Sequence, residues 1–279
     1  MLVLTHADVD HVDGLCGLLM LQENGTAMFD VDEYWDPGYP ARPRRETHAC
    51  VLGALTAQGT AIKRPLQDAS VGGNPVVVST QSRTVVPIGL PNSNLPADRF
   101  NLAIIHSDKA PTTKREKCTV PHVLGCPEAY RMNNASIVIR LVLDGHSFLL
   151  TGDVNGRRGT GEPLGEVEKL LVGLGPAIAS DVVRIPHHGH RSSSHPEFVC
   201  TVGARYAVAS EHNYFGVGLP RTNILRRYED GPENCPGAKQ ATVFNQRIGE
   251  NRHVKCAPDP EGRLQCGYQT RLELPEDGR

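Results

Sequence analysis

Short apolar runs set in long polar stretches dominate the chain. Leu2-Val3-Leu4 is too short for a globular helix and reads as a buried strand. Val12, Leu15, Leu18, Leu19 and Leu21 then recur at helical spacing, and Asn24-Gly25 supplies a stop. The opening thus predicts strand, polar loop and helix. A short strand is expected within 28–36, a helix from Thr47 to Gln58, and strands at Val76-Val77-Val78 and Thr84 to Ile88. Segments 91–99 and 107–132, rich in Pro, Asn, Lys and Thr, read as loops. Ile137 to Leu143 and Ser147 to Thr151 flank Asp144-Gly145, the signature of a two-residue hairpin turn. A helix is expected from Glu162 to Val172, strands at Asp181 to Ile185 and Arg205 to Ser210, and a helix near Thr222 to Tyr228. Beyond Gly231 the pattern weakens into loop with faint strand signals.

Composition adds boundaries. The 279 residues are 39% hydrophobic and 22% charged, which suits a folded protein with a sizeable core. A formal net charge of −2 argues against a surface that grips nucleic acid non-specifically. The local basic clusters (Arg42, Arg44, Arg45; Lys114, Arg115, Lys117; Arg157, Arg158) read as solvated loops. No apolar run approaches the ~20 residues of a membrane span. No basic-then-apolar leader opens the chain, so a cytoplasmic location is expected. The eight cysteines form no C-x-x-C pair. Cys235, Cys256 and Cys266 cluster late in the chain, where free thiols are expected ahead of a disulfide.

The chemistry concentrates where strands end. Thr5-His6-Ala7-Asp8-Val9-Asp10-His11 places four ligand types directly behind the first strand. An extended loop projects alternate side chains to one side, so His6, Asp8 and Asp10 can converge, with His11 turning in from the helix start. Mixed imidazole and carboxylate donors suit Zn²⁺ or Mn²⁺. Leu149-Leu150-Thr151-Gly152-Asp153 ends a second strand in a carboxylate, and Ile185-Pro186-His187-His188-Gly189-His190 ends a third in imidazoles. Each alone is an ordinary turn or surface loop; three in one chain point to a metal centre. His48, His106, His122, His146 and His253 stand alone and read as surface or core residues, whereas His190, His195 and His212 lie close in sequence to the site motifs.

H-x-D-x-D-H, N-N-x-S, L-L-T-G-D and P-H-H-G followed by serines together resemble the metallo-β-lactamase superfamily, and within it the soluble hydrolase domain of the ComEC competence proteins. The similarity runs over roughly residues 1–228. It implies an α/β fold, the αββα sandwich, with a hydrolase domain over 1–231 and residues 232–279 as an extension of it. It implies two divalent ions, Zn or Mn: His6 and Asp8 on one, Asp10 and His11 on the other, Asp153 bridging, and His187 or His188 completing the second site. His187 lies nearer the strand end. Asp10 or Asp153 would orient the attacking water, a nearby His such as His190 would protonate the leaving group, and Asn134, Ser136 and Ser192 would contact substrate. The implied substrate is a phosphodiester, such as DNA. A small ester, lactone or thioester at the same centre, or metal and partner binding without turnover, are the alternatives. Three positions depart from the family. Asn134 stands where a His is usual, about 19 residues before Asp153, and Leu219-Pro220 replaces a His-Pro pair. The family's first strands have no counterpart before His6, so an incomplete N-terminal sheet and self-association through its open edge are expected.

Overall fold

The computed structural model describes residues 1–6, 8–23, 26–37, 45–63, 86–88, 100–106, 133–156, 166–211, 218–232, 235, 240–247 and 252–270. The expected strand at 76–78 and loops at 91–99 and 107–132 lie outside them, as do His122, His212 and the basic residues Arg42, Arg44, Lys114, Arg115, Lys117, Arg157 and Arg158. The chain forms a mixed α/β structure with two compact units: Met1–Leu141 with Leu150–Asn155, and Val142–Leu149 with Gly156–Arg279.

In the first unit, β1 (Leu2–Val3), β4 (Glu33–Trp35) and β5 (Ala61–Lys63) form a parallel sheet in the order β1-β4-β5. Its ladder pairs Leu2 with Tyr34 and Tyr34 with Ile62. The expected first helix is two pieces, α1 (Val9–Val12) and α2 (Leu15–Leu19). Gly14 separates them at φ 88°, a left-handed conformation that glycine adopts without steric cost. The expected stop at Asn24-Gly25 lies outside the described residues; β2 (Gln22–Glu23) and β3 (Thr26–Ala27) pair antiparallel. The helix ends at Leu19 and the chain is already extended from Gln22, so strand pairing outweighed the helical periodicity of Leu21. Helix α3 (Arg45–Ala57) covers the sheet through Val51 and Leu55, which are buried with Leu4, Val12, Leu19, Val31 and Tyr34. Strands β6 (Val86–Ile88) and β7 (Phe100–His106) pair antiparallel.

Strands β8 (Val138–Leu143) and β9 (His146–Leu150) are joined by Asp144 (φ 48°) and Gly145 (φ 80°). Two successive positive φ angles make the type I′ turn that the dipeptide predicts. In the second unit β9, β10 (Val182–Arg184), β11 (Tyr206–Glu211) and β12 (Thr242–Arg247) run parallel in that order. Helices α4 (Glu166–Gly173), α5 (Pro196–Val202) and α6 (Thr222–Glu229) belong to this unit. The weak signals after Gly231 resolve into β12 and an antiparallel pair, β13 (Arg252–Pro258) with β14 (Leu264–Thr270). Tyr206, Phe244 and Leu264 bury one core here, which tertiary packing supplies where periodicity is faint.

Three disulfides, Cys16–Cys50, Cys200–Cys235 and Cys256–Cys266, correct the expectation of free thiols. Cys256 and Cys266 face one another in the β13-β14 register with Cα atoms 4.1 Å apart, a proximity no sequence spacing reveals. No helix among the described residues is long and apolar enough to cross a membrane.

Candidate metal centre

Leu4 continues β1 through its N–H, which donates to the Trp35 carbonyl 2.9 Å away. The chain then leaves the sheet at Thr5, whose carbonyl accepts from Ile137 N–H at 2.9 Å, and enters α1 at Asp8. This geometry sends His6 and His11 to the same place. Asp153 arrives there from the end of β9. Its Oδ1 lies 3.4 Å from His11 Nε2 and its Oδ2 lies 3.9 Å from His6 Nε2. One ligand atom from each of the three residues falls within 4.8 Å of the others. The rings of His6 and His11 sit 4.1 Å apart.

The opposite ring nitrogens are held by hydroxyls. Thr5 Oγ1 lies 3.2 Å from His6 Nδ1 and 3.3 Å from His11 Nδ1. With protons on both Nδ1 atoms, each ring donates to this one oxygen and turns an unprotonated Nε2 toward Asp153. Ser136 Oγ lies 3.3 Å from His6 Nδ1 and accepts from Asp153 N–H at 3.0 Å. With imidazole Nδ1 atoms anchored behind and Nε2 atoms and a carboxylate converging in front, the three residues form a group that could hold a metal ion. His6 and Asp153 are almost fully buried, whereas the His11 side chain retains 13% exposure and marks the open side. Gly152 makes the approach possible: a Cβ there would lie 2.7 Å from both Cβ and Oγ of Ser136.

The remaining expected residues fall as follows. Asp8 is half-buried, and its carbonyl accepts from His11 and Val12 N–H at the start of α1. Asp10 lies in α1, its side chain outside the described residues. Asn134 uses Oδ1 to accept from both the backbone N–H (3.0 Å) and the side-chain amide (3.3 Å) of Asn155, so it clamps the turn that carries Asp153. Ser136, expected to touch substrate, is fully buried among His6 and the Asp153 backbone.

In the second unit, Pro186–Gly189 forms a tight turn with His187 (φ 49°), His188 (φ 52°) and Gly189 (φ 73°) all left-handed. Two non-glycine residues in that region cost about 1–2 kcal/mol each, and surrounding bonds must hold them. His188 Nδ1–H donates to the Ser210 carbonyl at 2.6 Å. Ser192 Oγ lies 3.1 Å from His187 Nδ1 and 2.7 Å from His190 Nδ1. Ser192 N–H also donates to His190 Nδ1 at 3.2 Å, which assigns the proton of a neutral His190 ring to Nε2. His195 caps α5 by accepting from Glu197 N–H. Sequence reasoning passed over Thr5 and Glu168; a hydroxyl directly before His6 was the available signal for the first, and none marked the second.

No family model matches the chain. Over 107 residues, 38% of its length, the chain is 33% identical to ComE operon protein 3 of Bacillus subtilis (strain 168). Over 97 residues, 35% of its length, it is 30% identical to the uncharacterized protein YcaI of Escherichia coli (strain K12). The aligned stretches span 13% and 12% of those proteins, so the chain corresponds to a small part of each. Distant similarity to a ComE operon product agrees with the resemblance carried by the strand-end motifs.

Proposed function

We propose that this chain is a metal-dependent hydrolase of phosphodiesters on a metallo-β-lactamase type of αββα sandwich. The observation that carries the reading is the convergence of His6 Nε2, His11 Nε2 and the Asp153 carboxylate, backed by Thr5 and Ser136. These three residues fit a divalent cation in donor type and span; Asp8, Asp10 and His187 or His188 are proposed as further ligands on the motif resemblance. A bound divalent ion lowers the pKa of a coordinated water toward neutrality and offsets charge on the scissile group. Thr5 and Ser136 fix ring orientation, so little reorganisation accompanies binding. Asp153, buried beside two imidazoles, offers a carboxylate that would balance the charge of a cation held there. His190, with its proton assigned to Nε2, is a donor suited to a leaving oxygen.

The test is metal analysis of the purified protein. It is paired with Mn²⁺- and Zn²⁺-dependent cleavage of bis(p-nitrophenyl) phosphate, single-stranded DNA and a model lactone. The proposal expects bound metal, phosphodiester cleavage, and loss of both in Asp153→Asn with the fold retained. Preference for the lactone would move the substrate class to small esters. Metal without turnover on any substrate would make the chain a binding protein, and full metal content with full activity in Asp153→Asn would remove the site.

A further inference from the structure

Glu168 is a fully buried carboxylate on α4 that the proposed chemistry leaves unused. It accepts two short backbone hydrogen bonds, from Ser194 N–H at 2.6 Å and from His195 N–H at 2.7 Å. Burying a carboxylate costs several kcal/mol unless its oxygens are matched by donors. A chain that keeps one here spends that cost on fixing two particular amides. The same loop is pinned from its other side. Arg227 donates to the Ser194 carbonyl at 2.7 Å, and Tyr228 donates to Ser194 Oγ at 3.0 Å. Ser194 itself is left-handed (φ 58°), a conformation that these bonds hold in place. Ser193 Oγ donates to the Pro186 carbonyl at 2.8 Å, and Gly156 N–H donates to the Ser192 carbonyl at 2.7 Å. A side chain at Gly156 would collide with the Glu168 carboxylate, so the glycine three residues after Asp153 keeps room for it.

The held segment, 190–195, carries the Ser192 hydroxyl that lies between His187 and His190. We infer that Glu168 is a positioning residue: its carboxylate fixes the backbone of the 190–195 loop and thereby holds the Ser192 hydroxyl in place between the His187 and His190 rings. Arg227 is its counterpart, neutralising the carbonyl side of Ser194. The catalytic importance of that setting rests on the hydrolase reading; the geometric role does not. Glu168→Gln preserves shape but offers one acceptor oxygen and an amide that opposes a backbone N–H. Arg227→Gln is the second variant: it removes the guanidinium that donates to the Ser193 and Ser194 carbonyls and leaves the Glu168 carboxylate in place.

The experiment measures amide exchange at Ser194 and His195, the ¹⁵N imidazole signals of His187 and His190, and kcat and KM for bis(p-nitrophenyl) phosphate. Measurements are made below the melting temperature of each variant. Glu168→Gln is expected to speed exchange at both amides at least tenfold over the α4 amides. It should shift the imidazole signals of both His187 and His190 and lower kcat at least tenfold with KM within twofold. Arg227→Gln should shift the same signals less. A purely structural Glu168 would lower melting temperature without altering imidazole signals in the folded protein. Wild-type exchange at Ser194 and His195 in Glu168→Gln, or unchanged imidazole signals, overturns the inference. An inactive wild-type protein would overturn the hydrolase reading, while the exchange and imidazole data still decide the role of Glu168.

Discussion

Gly152→Ala tests whether the supporting hydroxyls build the centre. Gly152 adopts φ 55°, and an alanine Cβ would sit 2.7 Å from Cβ and Oγ of Ser136 and 3.1 Å from Cβ of Thr5. The left-handed backbone costs an L-residue about 1–2 kcal/mol. Forcing a methyl into that packed space adds about 1–3 kcal/mol. Together they come to about 2–5 kcal/mol, a large share of the ~5–15 kcal/mol that holds an ordinary domain. The strain falls on Thr5 and Ser136, the residues that orient His6 and His11, so metal affinity should fall about 10–100-fold, as for other supporting-shell changes. Urea unfolding of the metal-free protein and Zn²⁺ titration with a competing chelator measure the two effects. Ser136→Gly removes both 2.7 Å contacts but leaves the φ penalty. It should therefore be less damaging in the Gly152→Ala background than alone, with a coupling energy of about 1–3 kcal/mol. A Gly152→Ala protein within about 1 kcal/mol of wild type and equal in metal affinity would refute the close-approach argument. Strict additivity with Ser136→Gly would refute its assignment to Ser136.

Three further outcomes are expected. Burial first, with the Glu168 charge adding to it against the Ser194 hydrogen bond and Arg227, drives the Tyr228 hydroxyl well above the ordinary tyrosine value. The unfolded chain therefore loses this proton before the folded one. Its stabilisation is whole below pH ~10 and declines above that by up to about 1.4 kcal/mol per pH unit, so Tyr228→Phe should flatten the alkaline limb of a stability–pH curve. An unchanged slope would count against a buried neutral hydroxyl. His48 and Asp36 form a fully buried pair with Nε2 and Oδ2 3.2 Å apart. His48→Ala should cost about 3–5 kcal/mol by removing one partner of a buried pair, and a loss under 1 kcal/mol would show that the pair contributes little. Cys16 and Cys50 are 34 residues apart and bonded. Opening that loop by Cys16→Ala/Cys50→Ala should cost about 4 kcal/mol on the chain-entropy model. Peptide mapping without reductant checks the pairing first, and free thiols at both positions would remove the basis of the estimate.

Local rules made several parts of this protein legible in advance. Asp144-Gly145 sits between two alternating apolar runs, and only left-handed-tolerant residues close such a turn, so its hairpin follows from sequence. Leu2-Val3-Leu4 ahead of a ligand-dense loop, and Gly152-Asp153 behind β9, marked strand ends as candidate sites because side chains there leave the sheet together, and His6, His11 and Asp153 do come together. Other features depended on distances that spacing does not encode. Leu21 fits the helical period of Val12 to Leu19, and only the pairing of β2 with β3 ended that helix early. Asn134 and Ser136 read as substrate contacts, yet the fold turns them back onto Asn155, His6 and the Asp153 amide. His6 and His11, assigned to separate ions by motif, are brought with Asp153 into one group by the kink of the chain at Thr5 and α1. The disulfides, the buried Glu168 and the strands after Gly231 are long-range facts: a cysteine, a glutamate or a weakly alternating run acquires its role from whatever residue, far off in sequence, packs against it.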